Sequence, residues 1–155
     1  MTKKVTILAV LIILCLGVFA GCGEDERNIK PEDFAGTWET TEWNVGDKPW
    51  DDKMTLVLNE DYTGKLTVGE KSQDITWETS GWYTDEDGTP PAIPPRAKLT
   101  LAENITTGTL TIETNKTFYL KYDETNKNFT FDTDWKQQTD LGEARFNTTG
   151  TLDRK

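Results

Sequence analysis

The chain has 155 residues, with 27 acidic side chains against 17 basic ones and no histidine. A net charge of −10 works against nucleic-acid binding and favours solubility. The lack of histidine removes imidazole general bases, histidine-containing nucleophile triads and histidine-ligated zinc.

Lys3 and Lys4 precede an uncharged apolar run from Val5 to Phe19, and Ala20 and Gly21 lead into Cys22. A positive start, an apolar middle and a small-residue end make an export signal. The run is shorter than the ~20 residues a membrane-spanning helix needs. The segment resembles a prokaryotic lipobox, with Phe19 standing where such boxes usually carry Leu. The resemblance implies cleavage before Cys22 and acylation of its thiol. The mature chain would then sit in the cell envelope, lipid-anchored and facing the extracytoplasmic side. Each buried methylene contributes about 0.8 kcal/mol, so two or three acyl chains anchor firmly. Cys15 leaves with the signal, so the mature chain is expected to form no internal disulfide.

Cys22 to Lys155 is the size of one domain, and loss of Lys3 and Lys4 takes the net charge from −10 to −12. Residues 1–21 read as the signal peptide, 22–30 as a flexible polar tether and 31–155 as a single domain. Pro31 to Phe34 suits one turn of helix, with Pro at its first position. Threonine and aromatics, the residues of half-buried strands, are abundant thereafter.

Strand and turn signals then alternate every eight to twelve residues. Thr37 to Asn44 reads as the first strand, with Trp38, Thr40 and Glu42 on one face. Met54, Leu56 and Leu58 mark the second, and the turn Asn59 to Gly64 reverses the chain into Leu66 and Val68. Gly69 to Ser72 turns it into Ile75 and Trp77, followed by the short segment Gly81-Trp82-Tyr83. Thr84 to Arg96 carries two Pro pairs and an acidic turn, and reads as a long surface loop. Strands follow at Leu99 and Leu101, at Leu110 and Ile112 after an Asn104 to Gly108 connection, at Phe118 to Tyr122, and at Phe129 to Phe131. Ala144 to Phe146 and Thr151 to Leu152 suggest a last pair. The class is all-β: an antiparallel meander of eight to ten short strands.

The opening Pro31-Glu32-Asp33-Phe34-Ala35-Gly36-Thr37-Trp38 resembles the start of lipocalins and related calycin barrels. The stretches Leu56 to Gly64 and Ile75-Thr76-Trp77 resemble hairpins of small bacterial lipocalin-like lipoproteins. The resemblance covers about residues 31 to 131 and implies a lipocalin-like barrel whose floor is plugged by Gly36, Thr37 and Trp38. It further implies an arginine near the chain end stacked across that Trp, a place assigned to Arg145.

Catalysis is not expected. With Cys22 acylated, no free thiol remains, and Ser72 and Ser80 lack a nucleophile-elbow context. The acids form no recognisable glycosidase signature and read as a solvated face. Asp85-Glu86-Asp87-Gly88 starts like a calcium loop but lacks the rest of the series, so it reads as an acidic turn, with no metal or cofactor. Asn-x-Thr sequons occur at Asn104, Asn115, Asn128 and Asn147. Trp38 and Trp77 read as core, whereas Trp43, Trp50, Trp82 and Trp135 lie near loops or strand ends. Trp82, Tyr83 and Trp135 are therefore the candidate rim contacts.

An eight-stranded barrel has room for about one small ligand, or for side chains alone. The leading expectation is a surface lipoprotein that binds a small apolar or amphipathic molecule. The alternatives are a non-catalytic interaction module, such as an envelope protease inhibitor or an adhesin-like protein contacting partners through its open end and the 84–96 loop, or a carbohydrate binder using rim tryptophans.

Overall fold

A computed structural model describes residues 27–114 and 117–155; the signal segment, Cys22 and Asn115 lie outside them. One helical turn, α1 (Pro31–Phe34), precedes eleven strands. These are β1 (Gly36–Val45), β2 (Lys48–Pro49), β3 (Met54–Leu58), β4 (Thr63–Val68), β5 (Lys71–Ser80) and β6 (Arg96–Leu101). They continue as β7 (Ile105–Thr107), β8 (Leu110–Ile112), β9 (Phe118–Asp123), β10 (Asn128–Thr139) and β11 (Gly142–Arg154).

Eight of them run antiparallel in the order β11, β1, β3, β4, β5, β6, β9, β10, and the pairing of β10 with β11 closes the sheet into a barrel. The expected all-β barrel is therefore the fold. Its core follows from simple alternation. Met54, Leu56 and Leu58 on β3, Leu66 and Val68 on β4, Ile75 and Trp77 on β5, and Ala97, Leu99 and Leu101 on β6 all point inward and are buried.

Three elements differ from the sequence reading. β1 carries a bulge between Thr40 and Glu42. The extra residue flips the alternation, so Trp43 and Val45 face the core and Glu42 turns out. The Thr40 hydroxyl accepts the Met54 N–H at 3.0 Å, where β1 parts from β3.

Ile105 to Thr107, read as connection, is a strand that forms a hairpin with β8. That hairpin leaves the meander and pairs with β10 at Lys136 and Gln137, so β9, not β8, lies beside β6. Its buried Ile105, Leu110 and Ile112 join the core, which explains why so short a ribbon holds its place.

The two short final strands are one, β11, paired with β10 from Gly142 to Leu152 and with β1 from Thr148 to Arg154. Gly150 sits mid-strand because the Phe131 ring, its cross-strand neighbour, fills the space a Cβ would need. Gly150→Ala is expected to destabilise the domain by about 1–3 kcal/mol through overpacking. A urea titration that shows an unshifted midpoint would contradict this packing.

Candidate functional site

The chain order sets which end of the barrel each connection occupies. α1, the turn 59–62, loop 81–95, the turn 124–127 and the C-terminal residues share the end where β1 begins. The connections 46–53, 69–70 and 102–109 and the β10–β11 turn share the other, the mouth.

At the first end, α1 folds across the opening. Trp38 is fully buried beneath it and donates its indole N–H to the Phe34 carbonyl at 2.9 Å. Phe129 lies 4.5 Å from Trp38 and 4.9 Å from Phe34 between ring centroids, and Tyr122 packs on Phe34 at 5.1 Å. Gly36 precedes with φ 138°, a conformation suited to glycine, and Thr37 accepts the Lys155 N–H through its carbonyl.

The arginine over Trp38 is Arg154, not Arg145. Its guanidinium carbon lies 4.6 Å from the indole centroid, and it donates to the Asp33 carbonyl. The correction follows from register: Arg154 is the direct cross-strand partner of Trp38, whereas Arg145 pairs with Lys136. Nine residues of strand put about 30 Å between the two arginines, and an odd offset turns Arg145 to the outer face. There Arg145 holds Glu113 with two bonds, at 2.7 and 3.1 Å, and Lys136 joins the cluster. The Glu113 carboxylate raises the Arg145 pKa, chiefly through those bonds.

Trp82 and Tyr83 are at the floor end, not at an open rim. Trp82 bridges to Asn28 and donates its backbone N–H to the Ile93 carbonyl at 3.1 Å, and the Tyr83 backbone N–H donates to the Arg27 carbonyl at 3.0 Å. Residues 27 and 28 of the tether are thus bound to loop 81–95, and Arg27 also pairs with Asp85 at 2.9 Å. The acidic turn is closed by its own bonds: Gly88 N–H to the Asp85 carbonyl and Thr89 N–H to the Asp87 carboxylate, each at 2.8 Å. Among the described residues, no three Asp, Glu, Cys or His side chains gather in a way that could hold a metal ion.

Trp135 is not a rim residue either. It is 1% exposed, stacked on Phe131 at 5.6 Å and in edge contact with Phe118 at 5.1 Å and Trp43 at 6.2 Å. Its polar neighbours in sequence suggest exposure, but alternation from Phe129 through Phe131 and Thr133 carries it inward. Aromatic rings therefore occupy the β1–β10 side of the interior from the floor to the mouth.

Above this filling lies a cleft of about 880 Å³. One wall is the β1–β3 connection with Asp47, Trp50, Asp51 and Asp52; the other is Gln137, Gln138, Asp140 and Phe146 of the β10–β11 hairpin. Trp50 is held by the bond from its backbone N–H to the Trp43 carbonyl at 2.8 Å, and its ring lies 6.3 Å from that of Trp43. Asp52 accepts the Thr107 hydroxyl and so ties the connection to the β7–β8 hairpin. The indole nitrogens of Trp43 and Trp50 are buried and find no acceptor among the described residues. Four carboxylates and one ammonium, that of Lys48, line the cleft, so its field is negative. Trp50 stands out in the sequence only as an aromatic beside Asp51 and Asp52; nothing there links it to Phe146, which β11 brings across.

Two predictions follow from the floor. Arg154→Ala is expected to cost about 1 kcal/mol in thermal or denaturant unfolding, and Arg154→Lys to recover only part of it, since Lys lacks the planar fork. Burial first, and then the charge and hydrogen bond of Asp33, push the Tyr83 hydroxyl well above its ordinary value of 10.0; burial also raises Tyr122. A raised folded-state value means stability is whole below the ordinary value and is lost as pH climbs from there towards the folded one. Absorbance at 295 nm should show a late ionising component that coincides with unfolding, and Tyr83→Phe should shrink both it and the alkaline loss of stability. Compared with known proteins, the chain matches no family model, no curated protein and no solved structure.

Proposed function

We propose that this chain is a lipid-anchored, lipocalin-like lipoprotein of the cell envelope that binds a small amphipathic ligand without transforming it. The observation that carries the reading is the mouth cleft: an acidic, aromatic-walled opening above an interior filled by buried aromatic and aliphatic side chains. The binding place is therefore the mouth, and the deep interior serves stability.

The cleft selects the ligand by its two kinds of wall. Val45, Pro49, Trp50 and Phe146 supply apolar surface, worth about 25 cal/mol for each Å² a ligand buries. Asp47, Asp51 and Asp140 favour a positively charged or donor-rich head group, and the Trp50 face attracts a cation directly. An amphipathic amine or quaternary ammonium compound satisfies both. The signal-like first segment, the lipobox-like Cys22 and the absence of histidine agree with a binding role at a membrane surface.

A saccharide is the second reading, favoured by the Gln137 and Gln138 carboxamides beside the carboxylates and Trp50. The two readings differ in salt dependence, because only a charged ligand loses affinity steeply as salt rises.

Titration of the purified protein with a cationic amphiphilic dye should show saturable binding that weakens with salt. Trp50→Ala and Asp51→Asn are each expected to reduce the affinity roughly tenfold, about 1.4 kcal/mol, with the circular dichroism spectrum unchanged. Unaltered affinity in both variants would refute the mouth site. Salt-independent binding of neutral oligosaccharides, lost in Trp50→Ala, would select the saccharide reading instead.

A further inference from the structure

Five large apolar side chains are exposed among the described residues, and three of them, Tyr62, Trp82 and Ile93, lie on connections at the floor end. Trp82 and Ile93 are neighbours, joined by the backbone bond between them and exposed to 41% and 38%. They form a ledge on loop 81–95. This loop is held firmly: Tyr122 N–H donates to the Pro95 carbonyl at 2.8 Å, and Thr84 is bonded through its backbone N–H and its hydroxyl to the Glu124 carboxylate. Gly81 packs so closely under Ile93 and Pro94 that a side chain there would strike their carbonyls.

The ledge is also where the described chain begins. Arg27 and Asn28 are bound to Tyr83 and Trp82 themselves. Cys22 lies five residues earlier, a span of at most about 18 Å even at full extension. Acyl chains on Cys22 would thus hold the ledge within that distance of the bilayer surface, while the mouth points away.

We infer that the Trp82–Ile93 ledge seats in the head-group layer of the bilayer that holds the Cys22 acyl chains. The chemistry fits an uncharged or zwitterionic surface. Tryptophan has an apolar body and a polar N–H, the combination that settles at membrane–water interfaces, and a neighbouring isoleucine adds apolar area. Arg27, which holds the ledge, is paired with Asp85, and Glu124 is bonded to Thr84 two residues from Trp82, so carboxylates stand beside the ledge and it is the apolar side chains that fit a lipid surface. Two points of attachment, a firm one through the lipid and a weak one through the ledge, fix the orientation of the barrel where the lipid alone would leave it free to tumble. The inference rests on the acylation of Cys22 but is independent of what the mouth binds.

The test uses the full acylated protein in phosphatidylcholine vesicles, with lipids brominated near the head-group end of the acyl chains as quenchers. Part of the tryptophan emission should be quenched, and Trp82→Phe should lose most of that quenching while Trp50→Phe keeps it. Trp82→Phe should leave the far-ultraviolet circular dichroism spectrum and the urea midpoint unchanged, which shows the fold is intact. An acylated protein that is not quenched, or whose quenching survives Trp82→Phe, overturns the inference and leaves anchoring untouched. A mass for the mature chain without acyl chains overturns anchoring and the inference together.

Discussion

Strand β11 is the element on which the molecule closes, and its dual pairing makes a curved sheet into a barrel. Along Thr148 to Leu152 it is bonded to β1 on one side and to β10 on the other. Without it, β1 and β10 would each present a long unpaired edge, the kind of edge that invites association. Closure has a steric condition at its tightest point. The Phe131 ring lies across Gly150, and the Glu42 carbonyl approaches as well, so glycine is the residue that leaves room for both. The bulge at Thr40 belongs to the same constraint, because it bends β1 to follow β11 after β1 has left β3.

Closure also decides where a ligand could go. An eight-stranded barrel encloses a narrow interior. Here Trp38, Trp43, Phe118, Phe129, Phe131 and Trp135 fill one side of it in contacts of 4.5 to 6.5 Å between rings. Such rings bury large areas and prefer tilted or edge-on packing, so they are strong contributors to stability and leave little adaptable space. Open concave surface then comes from what stands above the strands. β11 is again the cause: it carries Phe146 out to the mouth, opposite Trp50, and the β7–β8 hairpin braces Trp50 from the side, with Gly108 against its ring.

The fold was largely legible in the sequence because most strands alternate apolar and polar residues without interruption. Met54 to Leu58, Leu66 to Val68 and Phe118 to Leu120 show inward and outward faces residue by residue. The illegible parts share one cause, pairing information that no single strand contains. Asn147-Thr148-Thr149-Gly150 looks like a turn because its inward positions are threonine and glycine, and only Phe131 on another strand explains them. Two arginines near the chain end could each have capped Trp38, and register alone picks Arg154. The mouth was legible in its ingredients but not as a site. Trp50, Asp51, Gln137 and Phe146 come from segments about ninety residues apart, and the hairpin geometry that joins them is a tertiary result.

The two ends have become chemically distinct for a reason rooted in the same topology. The described chain enters at the floor, where Arg154 donates to the Asp33 carbonyl, Arg27 pairs with Asp85 and Thr84 donates to Glu124, so charged groups there are held by bonds within the floor. The surplus of carboxylates at the mouth lies the length of β1 away, about 30 Å at the rise of a strand. That distance is several screening lengths at physiological salt. The negative field of the mouth therefore does not reach the floor end, and under the proposed anchoring the two ends would act independently of each other.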